Sequence, residues 1–197
     1  MNLPKEKSGG PDELPNEVFK NLSDESINKL TGFFNEILRS KSIPNNFKES
    51  LVFLIHKGGS PHENQNYRPI TLTNSCYKLF MKIITERFSK ILEEEEIISH
   101  LQSGARPRHT THYRITHLLA AIQKAQVENY PMHVLFLDLL KAYDTVELWM
   151  IQEGLENYGF GRDVVELITN LYLENTTKII TPAGLTESIT VTRGIRQ

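Results

Sequence analysis

The sequence predicts an α+β fold. Several segments repeat apolar residues at helical spacing, and short β-rich runs lie between them: Leu51–Ile55, His133–Asp138 and a pair near residue 185. Helices and strands alternate without strict βαβ regularity, which makes the fold class α+β. With 197 residues, 39% apolar and 23% charged, the chain is long enough and apolar enough to bury a substantial core.

Residues 1 to about 22 are rich in Pro, Gly and Lys and read as a lead-in strap. Ser23 and Asp24 are cap candidates for a helix carrying Ile27, Leu30, Phe34, Ile37 and Leu38, broken at Ser42 to Asn46. Leu51 to Ile55 predicts a buried strand ending in the Gly58-Gly59-Ser60-Pro61 turn, whose loop runs to Asn66. A long helix follows, with Cys76, Leu79, Phe80, Ile83, Ile84, Phe88, Ile91 and Leu92 on one stripe. Glu93 to Glu96 reads as its solvated end. The segment around Arg106 is a loop, and Ile115, Leu118, Leu119, Ile122 and Ala125 mark another helix. His133 to Asp138 predicts a central strand. Leu148, Ile151, Leu155 and Tyr158 keep helical spacing up to a C-terminal Gly159, and a further helix spans roughly Asp163 to Leu173. Thr177 to Thr181 and Ser188 to Thr192 form a hairpin across Pro182-Ala183-Gly184.

Composition excludes several classes. No apolar run exceeds five residues, far short of the ~20 that a membrane helix needs. The opening MNLPKEKSGG has no apolar core of a secretory signal, so the expected setting is intracellular, nucleus or cytoplasm. One cysteine, Cys76, excludes a disulfide framework and a cysteine-based zinc site. The net charge of −2 hides an asymmetry: four of the 22 basic residues and none of the 24 acidic ones fall between Ile97 and Val127. That stretch therefore carries +4 and the remainder −6, a local field suited to an anionic ligand such as nucleic acid or a triphosphate. Its four histidines have no acidic neighbours in sequence and read as surface polar groups rather than metal ligands.

The strongest chemical feature is Leu135-Phe136-Leu137-Asp138. A carboxylate closing a buried strand is held rigidly where a hard ion such as Mg²⁺ can be bound by acids and substrate phosphates. Six residues on, Asp144 with Thr145 reads as a helix N-cap. A dehalogenase-like phosphatase also begins with a strand and an Asp, but needs a second Asp where Leu140 stands.

Three further segments are Asn66-Tyr67-Arg68-Pro69-Ile70, Gln102-Ser103-Gly104-Ala105-Arg106 and Arg193-Gly194-Ile195-Arg196-Gln197. Taken in order with LFLD and its Tyr143, with Ser8-Gly9-Gly10-Pro11-Asp12, Leu54-Ile55-His56-Lys57 and Tyr77-Lys78-Leu79-Phe80, they resemble the reverse transcriptase domain of non-LTR retrotransposons. The resemblance runs from about Ser8 to Gln197. It departs from the family pattern at Ala105, where the family carries Phe, and at Arg108-His109-Thr110-Thr111, where it carries Gly-Arg-Ser-Thr.

The resemblance implies a right-hand polymerase fold of which this chain holds the fingers (about 23–130) and part of the palm (about 131–197), incomplete and with the thumb absent. It implies an RNA template, a DNA primer, deoxynucleoside triphosphates and two Mg²⁺ ions. Asp138 matches the first catalytic carboxylate and the Leu139 backbone carbonyl completes a metal shell. Lys57, Arg68, Tyr143 and Gln197 match nucleotide-binding positions, with Tyr143 as the steric gate against a ribose 2′-OH. Gln102, Gly104, Arg106 and Arg196 match contacts to the template. The family's second acidic motif, an aromatic-Ala-Asp-Asp string, does not occur in these 197 residues. The expectation is therefore a polymerase segment inactive by itself, with a non-catalytic remnant that binds RNA weakly as the alternative.

Overall fold

The computed structural model describes residues 9–196, arranged as a mixed α/β chain in two compact units. Among the described residues, one unit comprises residues 9–82 and 141–196 and the other residues 83–140. Among the described residues no helix is long and apolar enough to cross a membrane.

The first unit is built on a five-stranded sheet. Strand β1 (Glu49–His56) pairs antiparallel with β2 (Tyr67–Thr73) and parallel with β3 (Asn175–Thr181). Antiparallel to β3 run the short β4 (Gly184–Leu185) and β5 (Ile189–Val191). The predicted hairpin is therefore present, turning on Pro182 and Ala183 with Thr181 opposite Gly184. The Gly58-Gly59 turn is present too, both glycines holding positive φ.

Helix α1 (Asp24–Ser40) is capped by Ser23, whose side chain accepts the Ser26 N–H. Its inner face, with Phe34 and Ile37, meets the one-turn α2 (Asn45–Lys48) and the start of α3 (Ser75–Glu94). Phe47 on α2 is 1% exposed and centres an aromatic cluster: Phe33 and Tyr77 meet it edge-on, and Phe80 tilts against it at 6.0 Å. Helix α5 (Leu148–Asn157) ends at Tyr158, where Gly159 (φ +78°) and Phe160 return N–H groups to Glu156 and Leu155. Helix α6 (Arg162–Tyr172) buries Val165, Leu167, Ile168 and Leu171 and leads into β3.

The described part of the lead-in bonds to the start of α3. Asp12 donates its N–H to the Asn74 side chain and accepts the Ser75 N–H, capping the start of α3, while the Ser75 hydroxyl donates to the Leu14 carbonyl. Gly10 lies so close to Thr73 that an added Cβ would stand 2.3 Å from its carbonyl carbon. Residues 1–8 of the strap lie outside the described residues.

The second unit holds the end of α3, the loop around Arg106 and helix α4 (Thr111–Val127). Three expectations are corrected. Strand β2 was not foreseen, since Pro69 lowers the strand signal; it is tolerated because β2 is an edge strand. Leu51–Ile55 is a strand but not a buried one, with Phe53 and Ile55 about half exposed. His133–Asp138 is not a strand: residues 131–139 have no regular structure, and Phe136 and Leu137 are 79% and 85% exposed. A β-rich run becomes a strand only when its N–H and C=O groups meet a ladder, and no described strand pairs with this one.

Candidate functional site

In the first unit the chain reverses through Lys141–Thr145, closed by the Asp144 and Thr145 N–H groups on the Lys141 carbonyl. The Thr145 hydroxyl donates to the carbonyls of Lys141 and Ala142 and tightens the same turn. Asp144 is not the N-cap expected of it, because α5 begins later, after Glu147. Instead Asp144 faces the terminal motif. Gly194 (φ +89°) donates its N–H to the Val146 carbonyl at 2.8 Å, and Ile195 donates to the Tyr143 carbonyl at 2.9 Å. Two distant motifs, Tyr143-Asp144 and Arg193–Arg196, are thereby stitched backbone to backbone.

A cavity of about 470 Å³ opens beside this stitch. Its walls include Asp144, Thr71, Thr177, Thr190, Thr192 and Arg193. These threonines carry no sequence signal of a site, since in strands they read as ordinary β-formers. Arg193 is paired with Glu147 at 3.1 Å.

Arg196 is turned into the protein rather than outward. Its guanidinium donates to the Phe47 carbonyl at 2.8 Å and the Asn175 side-chain oxygen at 2.6 Å, and it lies 4.6 Å from the Tyr77 ring centroid. Burial pushes the Tyr77 hydroxyl's pKa up despite this cation, and pushes that of Tyr172 up to about 12. Gln197 lies outside the described residues.

Lys57 and Arg68 share one face of the β1–β2 ladder. Ile55 pairs with Arg68, and the Lys57 N–H continues the ladder to the Asn66 carbonyl. Since side chains alternate along a strand, Lys57 and Arg68 stand with Leu51, Phe53, Ile55, Ile70 and Leu72. Ser50, Val52, Pro69 and Thr71, which line the cavity, occupy the opposite face. The structure brings Lys57 and Arg68 together but not onto the cavity face.

In the second unit the loop after α3 is pinned by Arg106, whose side chain is only 8% exposed. It forms a two-bond pair with Glu93 at 2.6 and 2.8 Å and donates to the carbonyls of Ser99 and Gln102. The hydrogen bond from Arg106 holds the Glu93 carboxyl below the usual carboxylate range. Glu93 is thus a structural partner and not a merely solvated helix end. Gln102 and Gly104 lie on the exposed loop, the Gln102 side-chain amide donating to the Gly104 carbonyl. Asp138 and Leu139 lie on the exposed irregular segment. Among the described residues no three His, Cys, Asp or Glu side chains are grouped to hold a metal. One carboxylate and one carbonyl do not fit a two-ion site.

A family model for reverse transcriptase (RNA-dependent DNA polymerase) matches residues 55–197, well over half of the chain. The chain belongs to the reverse transcriptase family. The probable RNA-directed DNA polymerase from transposon BS of Drosophila melanogaster is 34% identical over 146 residues, 74% of this chain and 16% of that protein. The RNA-directed DNA polymerase from mobile element jockey of the same fly is 29% identical over 146 residues, 73% of this chain and 16% of that protein. The retrovirus-related Pol polyprotein from type-1 retrotransposable element R2 of Popillia japonica is 26% identical over 156 residues, 79% of this chain and 21% of that protein. This reverse transcriptase segment is therefore of the non-LTR retrotransposon kind, and it spans about a sixth to a fifth of the length of these curated relatives.

Proposed function

We propose that the chain supplies the fingers and the front of the palm of an RNA-directed DNA polymerase. In the complete enzyme a primer 3′-OH attacks the α-phosphorus of a deoxynucleoside triphosphate opposite an RNA template. The new P–O bond replaces the one to pyrophosphate, which leaves. The observation that carries this reading is the backbone stitch between Tyr143-Val146 and Gly194-Ile195, inside the span matched by the family. It fixes the turn that bears Tyr143, whose ring, half exposed, is free to lie under a sugar.

In this reading Asp138 and the Leu139 carbonyl are the chain's contribution to a Mg²⁺ shell. Lys57 and Arg68 reach the triphosphate, and the planar guanidinium of Arg68 suits bidentate phosphate recognition. Gln197 adjoins the nucleotide, while Gln102 and Gly104 border the template. Arg106 and Arg196 act as positioning residues, holding the segments that carry those contacts.

Primer extension on poly(rA)/oligo(dT) with Mg²⁺ tests the isolated chain. No incorporation is expected, since among the described residues no three His, Cys, Asp or Glu side chains are grouped to hold the ions. Incorporation that disappears in Asp138→Ala would overturn the inactivity. The polymerase reading itself is tested by exchanging residues 23–197 into the jockey enzyme. Extension there should vanish with Asp138→Ala, and Tyr143→Val should relax discrimination against ribonucleotides about tenfold or more. Undiminished extension with Asp138→Ala would sink the reading.

A further inference from the structure

Helix α4 and the residue ahead of it carry a row of rings, with Tyr113 and His117 exposed and His109 half-buried against Ser103. Tyr113 and His117 lie four residues apart, with ring centroids 4.2 Å apart and planes tilted by 58°. His109, just ahead of the helix, meets Tyr113 edge-on at 6.5 Å. The Arg114 guanidinium lies 5.8 Å from the Tyr113 centroid, held from behind by the Ser103 hydroxyl and the His100 carbonyl. Tyr113 nevertheless leaves 54% of its surface to solvent.

The electrostatic surroundings are predominantly positive. No Asp or Glu occurs between Ile97 and Val127. Glu93 reaches into the loop from outside that stretch, paired with Arg106 and close enough to His109 for their charges to interact. Arg108 projects from the loop, exposed and at φ +63°. Lys124, two turns beyond His117 on the same helix, makes only a loose, exposed contact of 4.0 Å with Glu128.

We infer that the His109–Tyr113–His117 row is a stacking platform for a single strand of nucleic acid, with Arg108 and Lys124 attracting its phosphates. Partly exposed rings flanked by cations suit unpaired bases, because every base offers a π-face and stacking tolerates sequence. A duplex hides those faces within its own stack and offers phosphates alone. An acidic peptide would use the cations and leave the rings idle. The inference rests on the polymerase reading for the identity of the strand, an unpaired template, and not for the binding itself.

The test is fluorescence anisotropy with the full 197-residue chain and a labelled unstructured 15-nucleotide RNA, beside an RNA hairpin of equal length, from 50 to 200 mM salt. The single strand should bind more tightly than the hairpin. Tyr113→Ala should weaken it about tenfold, and Tyr113→Phe, which keeps the ring, should not. Arg108→Ala should lower the salt slope by about one. Circular dichroism of each variant separates lost binding from lost folding. Equal binding of strand and hairpin, an unchanged Kd in folded Tyr113→Ala, competition by poly-glutamate equal to that of RNA, or no binding at all overturns the proposal. Undiminished extension by the exchanged enzyme carrying Asp138→Ala, with intact Tyr113-dependent binding, would count against the polymerase reading alone.

Discussion

Arg106 and Arg196 each bring a fork of five donors to a set of fixed acceptors, and each does so by turning inward. The Arg106–Glu93 pair has a definite pH signature. Unfolded, Glu93 takes up a proton in the ordinary carboxylate range; folded, its hydrogen bond to Arg106 delays that uptake to lower pH. The pair's contribution is therefore full above the ordinary range and is lost as pH falls through the depressed folded value. Thermal melts of wild type and Glu93→Gln should differ most at neutral pH, wild type being the more stable, and converge in acid. A gap that stayed constant across that range would mean the pair does not stabilise the loop. At this scale the sequence reveals that an arginine is present and where, but not what it faces. Glu93 lies 13 residues from Arg106, and the partners of Arg196 are the carbonyl of Phe47 and the side chain of Asn175. Such partners are set by tertiary packing and leave no local trace.

At the scale of elements, the glycine that closes the stitch is the testable part. Gly194 holds φ +89°, and a Cβ there would stand 3.1 Å from the Cα and carbonyl oxygen of Asp144. Neither strain can be relieved by rotating a side chain, so Gly194→Ala should destabilise the first unit by about 1–3 kcal/mol in urea unfolding. Gly32 is the contrast: it sits inside α1 with nothing within 4 Å of an added Cβ. Gly32→Ala should stabilise by about 0.5–1 kcal/mol. Equal effects of the two substitutions would refute the steric account. Helices were legible because their signals are local: the Ser23 cap, the stripe of Phe34 and Ile37, the Gly159 stop. Strands were less so. Tyr67–Thr73 hides its β character behind Pro69, and His133–Asp138 has the composition of a strand but no ladder among the described residues. Strand formation depends on a partner elsewhere in the chain, which composition cannot supply.

At the scale of the whole molecule, the exposed segment from Val134 to Leu140 sets the behaviour of the isolated protein. Leu135, Phe136, Leu137, Leu139 and Leu140 are all more than three-quarters exposed, interrupted only by Asp138. An extended apolar run with unpaired backbone groups is a template for another chain's edge, and one negative charge in seven residues is a weak guard against that. The prediction is concentration-dependent self-association of the 197-residue chain, visible as a rise in scattered mass and in dye binding to apolar surface. The double substitution Leu135→Lys with Leu137→Lys should suppress it without changing the helical signal, because neither side chain contributes to the buried core. Substituting the half-exposed Phe53 to Lys, on the β1–β2 face, separates the two apolar surfaces. If that variant alone restores a monomer, the sheet face drives association and the run at Asp138 does not. Suppression by the Leu135/Leu137 pair would place the associating surface on the segment that carries the candidate catalytic aspartate, so that occupying it with a partner strand would both solubilise the chain and hold Asp138 in place.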